Sequence, residues 1–170
     1  MVKAYIITGP ESSGSVFISK VVAYALGATK NIDDWDGYGH CKSINPNIKV
    51  LHRSQPYCFK DQYCNLNQFR EEFKNMDLYF VLTTRYYAFS NISKRNRFNR
   101  TNEDITNNAK ESRLILSEII KSGEKYFIWN YETMLYLKDV YFDLLYKFIG
   151  SDNKYYPQNV VDGNIKYVKK

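Results

Sequence analysis

The sequence predicts an α/β fold: a single three-layer domain in which helices flank a mainly parallel sheet. Short apolar segments rich in β-forming residues alternate with longer segments of helical periodicity. Strands separated by helices imply right-handed crossovers between parallel strands. Since no repeat and no linker rich in glycine, serine or proline divides the chain, we expect residues 1–170 to form one domain.

The first half of the chain contains two strand–helix units. The first strand is an uninterrupted apolar run that stops at Gly9-Pro10, and the helix after it is followed by Gly27. The second strand is shorter, and a cysteine-containing segment separates it from its helix. In order, the predicted elements are Ala4–Thr8 (strand), Ser15–Leu26 (helix), Lys49–His52 (strand) and Asn65–Lys74 (helix).

The second half continues the alternation. Its first strand is the most apolar of the chain, and the helix after it carries aliphatic residues at helical spacing and ends at Ser122-Gly123. The last helix is closed by Gly150. These elements are Leu78–Thr83 (strand), Asp104–Lys121 (helix), Tyr126–Trp129 (strand) and Met134–Ile149 (helix).

Charge and hydropathy narrow the class of protein. The chain carries 24 basic and 18 acidic residues, a formal net charge of +6, which favours anionic partners. No apolar stretch reaches the about 18 residues that cross a bilayer. Because the N-terminus has no targeting signal either, we expect a cytoplasmic protein without a membrane span.

The three cysteines predict reduced thiols. Cys41, Cys58 and Cys64 are odd in number and include no C-x-x-C pair, which argues against a disulfide framework. Together with His40 or His52 they would supply four zinc ligands, but they lack the paired spacing of structural zinc sites. We therefore expect small buried thiols and no metal.

The turn after the first strand is the first candidate site. The segment Gly9-Pro10-Glu11-Ser12-Ser13-Gly14-Ser15-Val16 leads from a strand into a helix, where backbone N–H groups converge on an anion. Its glycines match G-x-x-x-x-G-K-[ST], but Ser15 stands in place of the lysine and Val16 in place of the hydroxyl that binds magnesium. The segment predicts phosphate or sulfate binding without a metal; a turn that only caps the helix is the alternative.

Two later strands also end in residues that carry chemistry. Arg85 comes directly after the third strand and Ser93 follows eight residues later. A guanidinium at the carboxyl end of a parallel strand faces the ligand crevice and can grip a phosphate through two bonds. The basic residues after Ser93 are explained by a solvated helix face; they are Lys94, Arg95, Arg97 and Arg100.

His52 ends the second strand and is the candidate general base. An imidazole with a pKa of about 6.5 is suited to removing a proton from a hydroxyl near neutral pH. The other histidine, His40, lies in an irregular segment. The alternative for His52 is a hydrogen-bonded histidine that orders the turn after its strand.

This arrangement resembles the PAPS-dependent sulfotransferases, a P-loop-like family that transfers a sulfuryl group from 3′-phosphoadenosine 5′-phosphosulfate (PAPS). The resemblance spans residues 4–150. The matching segments, in chain order, are Ser13-Gly14-Ser15, His52-Arg53-Ser54-Gln55-Pro56, Arg85 with Ser93, and Asn130-Tyr131-Glu132 through Phe148-Ile149-Gly150. It implies a P-loop NTPase-like fold and metal-independent transfer to a hydroxyl of a carbohydrate, a lipid, or a small alcohol or phenol.

The resemblance also implies roles for individual residues. His52 would be the general base, and Arg53 a catalytic cation. The nucleotide would be held by residues of the loop, of the third strand end and of the last strand end: Gly9, Ser12, Ser13, Gly14, Ser15, Val16, Arg85, Ser93 and Tyr131. The expected partners are therefore PAPS and a hydroxyl acceptor, and we do not expect nucleic acid.

The chain departs from the family at two places. The family carries a Lys or Arg just before the Ser-Gly of its loop, whereas this chain has Glu11-Ser12, so that Arg53 or Lys20 would have to substitute. The late Arg-Lys-Gly segment of many members has no counterpart in Val161–Lys170. A noncatalytic nucleotide- or polyanion-binding module on the same fold and a P-loop kinase are the alternative functions.

Overall fold

The computed structural model describes residues 2–59, 62–158 and 160–168, with the backbone alone at residues 58, 59, 62 and 63. These residues form an α/β fold in which helices flank a five-stranded, mostly parallel sheet. The strands are β1 (Lys3–Pro10), β2 (Gly39–His40), β3 (Ile48–Gln55), β4 (Tyr57–Phe59), β5 (Gln62–Tyr63), β6 (Asp77–Thr84) and β7 (Lys125–Asn130). The helices are α1 (Ser15–Ala25), α2 (Leu66–Glu72), α3 (Tyr87–Phe98), α4 (Asn102–Lys121), α5 (Tyr131–Leu137), α6 (Asp139–Ile149) and α7 (Ile165–Val168).

Strand order places β1 in the middle of the sheet. The order is β2-β3-β1-β6-β7, with β2 antiparallel at one edge and the other strands parallel. Ile7 of β1 pairs with His52 on one side and with Val81 on the other. The chain runs from β1 to its neighbour β3 and then crosses to β6, so the strand order reverses at β1. In open α/β sheets such a reversal opens a ligand crevice beyond the carboxyl ends of the strands.

Alternating side chains of the strands bury two apolar clusters, one on each face of the sheet. Tyr5 and Ile7 of β1 pack with residues of α1 and α6. Ala4 and Ile6 pack on the opposite face with residues of α2 and α4. The sheet is therefore the middle of three layers.

The predicted strands and the first three predicted helices are confirmed, with bounds that differ by at most three residues. The prediction of one helix over Met134–Ile149 is wrong, because α5 and α6 are separate helices. Lys138, between them, has a φ of 49°, in the left-handed region where a right-handed helix does not continue. The elements β2, β4, β5 and α7 were not predicted. The helix α3 was expected only as a solvated basic face, without bounds, and that expectation is wrong for Lys94, which is buried.

The prediction of reduced thiols is wrong for Cys64, which is disulfide-bonded. Cys64 directly follows the short antiparallel pair β4–β5. A hairpin brings together residues that lie near the two ends of its strands, and the spacing of the cysteines alone did not indicate a hairpin here. Cys41 is a free, buried thiol, and the side chain of Cys58 lies outside the described part. Disulfides persist mainly in oxidising compartments, so the bond does not favour the predicted cytoplasmic location. None of the described helices is long and apolar enough to cross a membrane.

Candidate functional site

The turn between β1 and α1 lies at the reversal of strand order. β1 extends to Pro10, and α1 begins at Ser15 after Gly14, which has a φ of 85°. Ser12 also has a positive φ, of 64°. Two left-handed residues within three positions fold the chain back tightly, so that the loop sits directly over the end of its own strand.

The loop presents unsatisfied hydrogen-bonding groups. No side chain caps the start of α1, and no acidic residue lies in its first turn, so the first N–H groups of this helix are free to bind an anion. The Ser12 hydroxyl is buried and has no hydrogen-bond partner among the described residues. A ligand oxygen at the loop would satisfy these donors. By contrast, the Ser13 hydroxyl is already bonded to Thr83, at 2.7 Å.

Gly9 and Gly14 serve different purposes. A Cβ at Gly9 would lie 2.2 Å from the Thr83 carbonyl oxygen, so Gly9 lets β1 and β6 pack and is part of the strand rather than of the loop. At Gly14 the positive φ itself demands glycine, and a Cβ would lie 3.3 Å from the Tyr131 ring. Gly14 thus allows both the turn and its close contact with α5.

A cavity of about 300 Å³ opens beside the loop on the β3 side. Ser15, Val16 and Ser54 line it, and Ser54 lies two residues after His52 in the chain. Its remaining described lining residues are Glu11, Ser12, Gly14, Tyr38, Arg97 and Phe98. The cavity is large enough for a small part of a substrate next to the loop.

His52 reaches this cavity through Ser15. Its Nε2 lies 2.8 Å from the Ser15 Oγ, and the residue is only 4% exposed. Burial, assisted by the charge of Arg53, lowers the pKa of His52 to about 4. His52 is therefore neutral at physiological pH and can either accept a proton or hold the Ser15 hydroxyl in place.

Arg53 points away from the loop. Strand alternation places it on the opposite face from His52, and its Nη2 donates to Glu72 Oε1 at 3.3 Å. The Glu72 carboxylate also binds His40. Lys20 is paired with Asp33 at 3.1 Å. Thus each of the two cations that could replace the missing Lys or Arg of the loop is paired with a carboxylate, Arg53 with Glu72 and Lys20 with Asp33.

A different cation, Arg100, neutralises the acidic residue of the loop. Arg100 donates from Nε and Nη2 to the two carboxylate oxygens of Glu11, at 3.3 and 2.9 Å. Glu11 is buried and Arg100 is half-buried, so water screens their attraction less than that of an exposed pair. Glu11 consequently presents little free negative charge to an anion in the loop.

Arg85 joins three of the segments that the sequence singled out. Its Nη1 donates to the Ser12 carbonyl at 3.2 Å, and its guanidinium lies 4.7 Å from the centre of the Tyr131 ring. Tyr131 in turn packs on Gly14. The loop, the end of β6 and the start of α5 thus converge around one guanidinium.

The C-terminal segment occupies the polar groups of Arg85 and Ser93. Arg85 Nε donates to Asn164 Oδ1 at 2.9 Å. Burial alone would raise the pKa of Tyr167, but hydrogen bonds from Ser93 and Lys166 hold it below its usual value. A phosphate on Arg85 and Ser93 would therefore replace the oxygens of Asn164 and Tyr167.

Sequence reasoning missed Glu11–Arg100 as a pair and Asn164 as a partner of Arg85. The need for an acidic partner of Arg100 could have been predicted, because Arg100 ends a run of basic residues and a buried cation requires a counter-charge. The contact of Asn164 could not, since Asn164 lies 79 residues from Arg85 and its position depends on how the C-terminal segment folds back.

No protein-family model and no curated protein matches the chain. The likeness to sulfotransferases therefore rests on the residues themselves and on where the fold places them.

Proposed function

We propose that the chain is a sulfotransferase that moves a sulfuryl group from PAPS to a hydroxyl acceptor without a metal, on a P-loop NTPase-like fold. The observation that carries the proposal is the convergence of Ser12, Gly14, Arg85 and Tyr131 at the reversal of strand order. These residues come from three separate segments, each of which the family resemblance assigns to the nucleotide.

The residues present fit the 5′-phosphosulfate at the loop. The free N–H groups of α1 and the unpartnered Ser12 hydroxyl supply donors for its oxygens. Arg85, Ser93 and Tyr131 would hold the 3′-phosphate and the adenosine. PAPS would supply the sulfuryl group. Val16 stands where a magnesium-dependent NTPase needs a hydroxyl, which favours a reaction without that metal.

His52 and Ser15 would handle the proton of the acceptor. An acceptor in the 300 Å³ cavity meets the Ser15 hydroxyl before it meets His52. The acceptor proton can pass to the Ser15 oxygen while Ser15 gives its own proton to His52 Nε2. A negative charge in the cavity would raise the pKa of His52 and make this transfer easier.

A noncatalytic nucleotide- or polyanion-binding module on the same fold is the second candidate. The observation that favours it is the Glu11-Ser12 of the loop, which stands where the family has a Lys or Arg, while the guanidinium of Arg53 donates to Glu72. Without a cation at the oxygen being cleaved, the site would bind the nucleotide and turn over slowly or not at all.

Replacing Arg85 tests the nucleotide assignment. We expect the protein to bind adenosine 3′,5′-bisphosphate more tightly than 5′-AMP, because only the former offers a 3′-phosphate to the guanidinium. Arg85→Ala should remove a charge-assisted hydrogen bond worth about 1.5–3 kcal/mol, which lowers the affinity for the bisphosphate about 10- to 150-fold. Isothermal titration calorimetry with both nucleotides, in the absence of magnesium, measures the difference.

Asn164→Ala is the matched control, because it keeps the guanidinium and removes the side chain that now occupies it. This variant should retain the preference for the bisphosphate. Equal affinity of the unmodified chain for the two nucleotides would contradict the assignment of Arg85 to a 3′-phosphate.

A further inference from the structure

A second cavity, of about 340 Å³, lies between α3 and α4 on the other side of the loop. One face of α4 lines it with Ala109, Ser112, Arg113, Leu116, Ser117 and Ile120, which follow one another at helical spacing. Ser90 and Lys94 of α3 line the facing wall. We call this cavity the α3–α4 cleft; it does not include any residue that lines the 300 Å³ cavity beside Ser15.

The charges along the α3–α4 cleft are positive. Lys94, Arg113 and Arg85 line it, and no carboxylate does so among the residues that the structure describes. Lys94 is 2% exposed, and its burial lowers the pKa of the ammonium. The carboxylate of Glu11 acts on Lys94 from nearby, but both of its oxygens already accept hydrogen bonds from Arg100.

The cleft also holds a hydroxyl without a partner. The Ser112 Oγ is buried and makes no hydrogen bond to any described residue. A buried hydroxyl without a partner carries a desolvation cost that a ligand oxygen would remove. Leu116 and Ile120 lie one and two turns further along α4 from Ser112 and make that end of the cleft apolar.

We propose that the α3–α4 cleft binds a phosphate or sulfate ester, with the oxyanion on Lys94, Ser112 and Arg113 and the organic group on Leu116 and Ile120. The buried Lys94 and the exposed Arg113, next to an unpartnered hydroxyl, suit a tetrahedral oxyanion, which accepts several hydrogen bonds at once. The cleft is larger than an inorganic phosphate or sulfate ion, and its apolar end offers room for the organic group of an ester. The cleft shares Ser13 and Arg85 with the proposed nucleotide site, but the residues that would hold the oxyanion are others, and the proposal does not depend on the proposed transfer activity.

Calorimetry with inorganic phosphate, phenyl phosphate and phenyl sulfate tests the site. We expect both phenyl esters to bind more tightly than inorganic phosphate, because their ring covers Leu116 and Ile120. Arg113→Ala should weaken phenyl phosphate about tenfold or more through the loss of a hydrogen bond to a charged group, and Ser112→Ala should weaken it less. Arg113 is exposed, so its replacement should leave the fold intact.

Lys110→Ala is the matched control, since it removes an exposed cation one turn away on α4 that does not line the cleft. Binding of phenyl phosphate should survive this change and should also survive Arg85→Ala, because the proposed oxyanion contacts do not include Arg85. Equal losses in the Lys110 and Arg113 variants, loss of binding in Arg85→Ala, or no binding at all would each overturn the proposal. Failure of the bisphosphate itself to bind would instead count against the proposed function.

Discussion

Gly14→Val should abolish nucleotide binding while the chain remains folded. Valine at a φ of 85° is forced into a backbone region that β-branched residues avoid, and its side chain would press on Tyr131, since the Cβ alone comes within 3.3 Å of that ring. To relieve the unfavourable φ and the clash with Tyr131, the loop must move, and its backbone N–H groups then no longer converge on one anion. Calorimetry with adenosine 3′,5′-bisphosphate measures the loss, and circular dichroism checks the fold.

Gly27→Val separates loss of the site from general strain. Gly27 also has a positive φ, of 65°, but apart from its neighbours in the chain no atom of the described residues lies within 4 Å of the position its Cβ would take. This control should pay a similar conformational cost of about 1–2 kcal/mol and still bind the nucleotide. Normal affinity in Gly14→Val would mean that the anion cradle lies elsewhere.

His52→Ala should lower kcat about 100- to 10,000-fold, the usual contribution of a general base, and leave nucleotide affinity nearly unchanged. His52→Gln distinguishes a base from a positioning residue, because glutamine can still bond the Ser15 hydroxyl but cannot take up a proton. If His52 is the base, both variants should be equally slow in sulfuryl transfer. Recovery of activity in His52→Gln would assign His52 to the orientation of Ser15 alone.

The pH dependence of kcat/KM in the unmodified chain provides an independent check of the same residue, because it reports the free enzyme. His52 must be neutral to accept a proton, and its pKa of about 4 keeps it neutral through the physiological range. The acidic limb of the profile should therefore fall near pH 4, where protonation removes the base. An exposed histidine would instead place that limb near its ordinary pKa of about 6.5.

The elements that were predicted well from the sequence are those whose own residues are apolar enough to require burial. β1 and β6 are continuous apolar runs, and an apolar run has to be buried on both faces wherever the chain places it. The break at Lys138 was not predictable, since apolar residues of α5 and α6 continue the same helical spacing across it and the left-handed φ of a lysine leaves no pattern. The two-residue strands β2 and β5 are too short to carry any periodicity.

At the site, sequence predicted correctly that Arg85 directly follows a strand, but β3 continues to Gln55, three residues past His52. How the side chains are engaged was not predicted. The opposite directions of His52 and Arg53 follow from strand alternation: Val50, two residues before His52, packs on the α1 face, and Leu51, two before Arg53, packs on the other. The contact between Arg85 and Asn164 could not be predicted from the sequence, because it is a tertiary contact made by a segment without helical or strand periodicity. The neutral state of His52 likewise depends on its burial.

The most direct test of the proposed function is transfer of ³⁵S-labelled sulfate from PAPS to pools of carbohydrate, lipid, alcohol and phenol acceptors, with magnesium removed by a chelator. The unmodified chain should label at least one pool, and Gly14→Val and His52→Ala should label it far more slowly. If the chain binds adenosine 3′,5′-bisphosphate but labels no pool, it is a binding module. Transfer of phosphate from ATP that requires magnesium, with none from PAPS, would contradict the sulfotransferase assignment altogether.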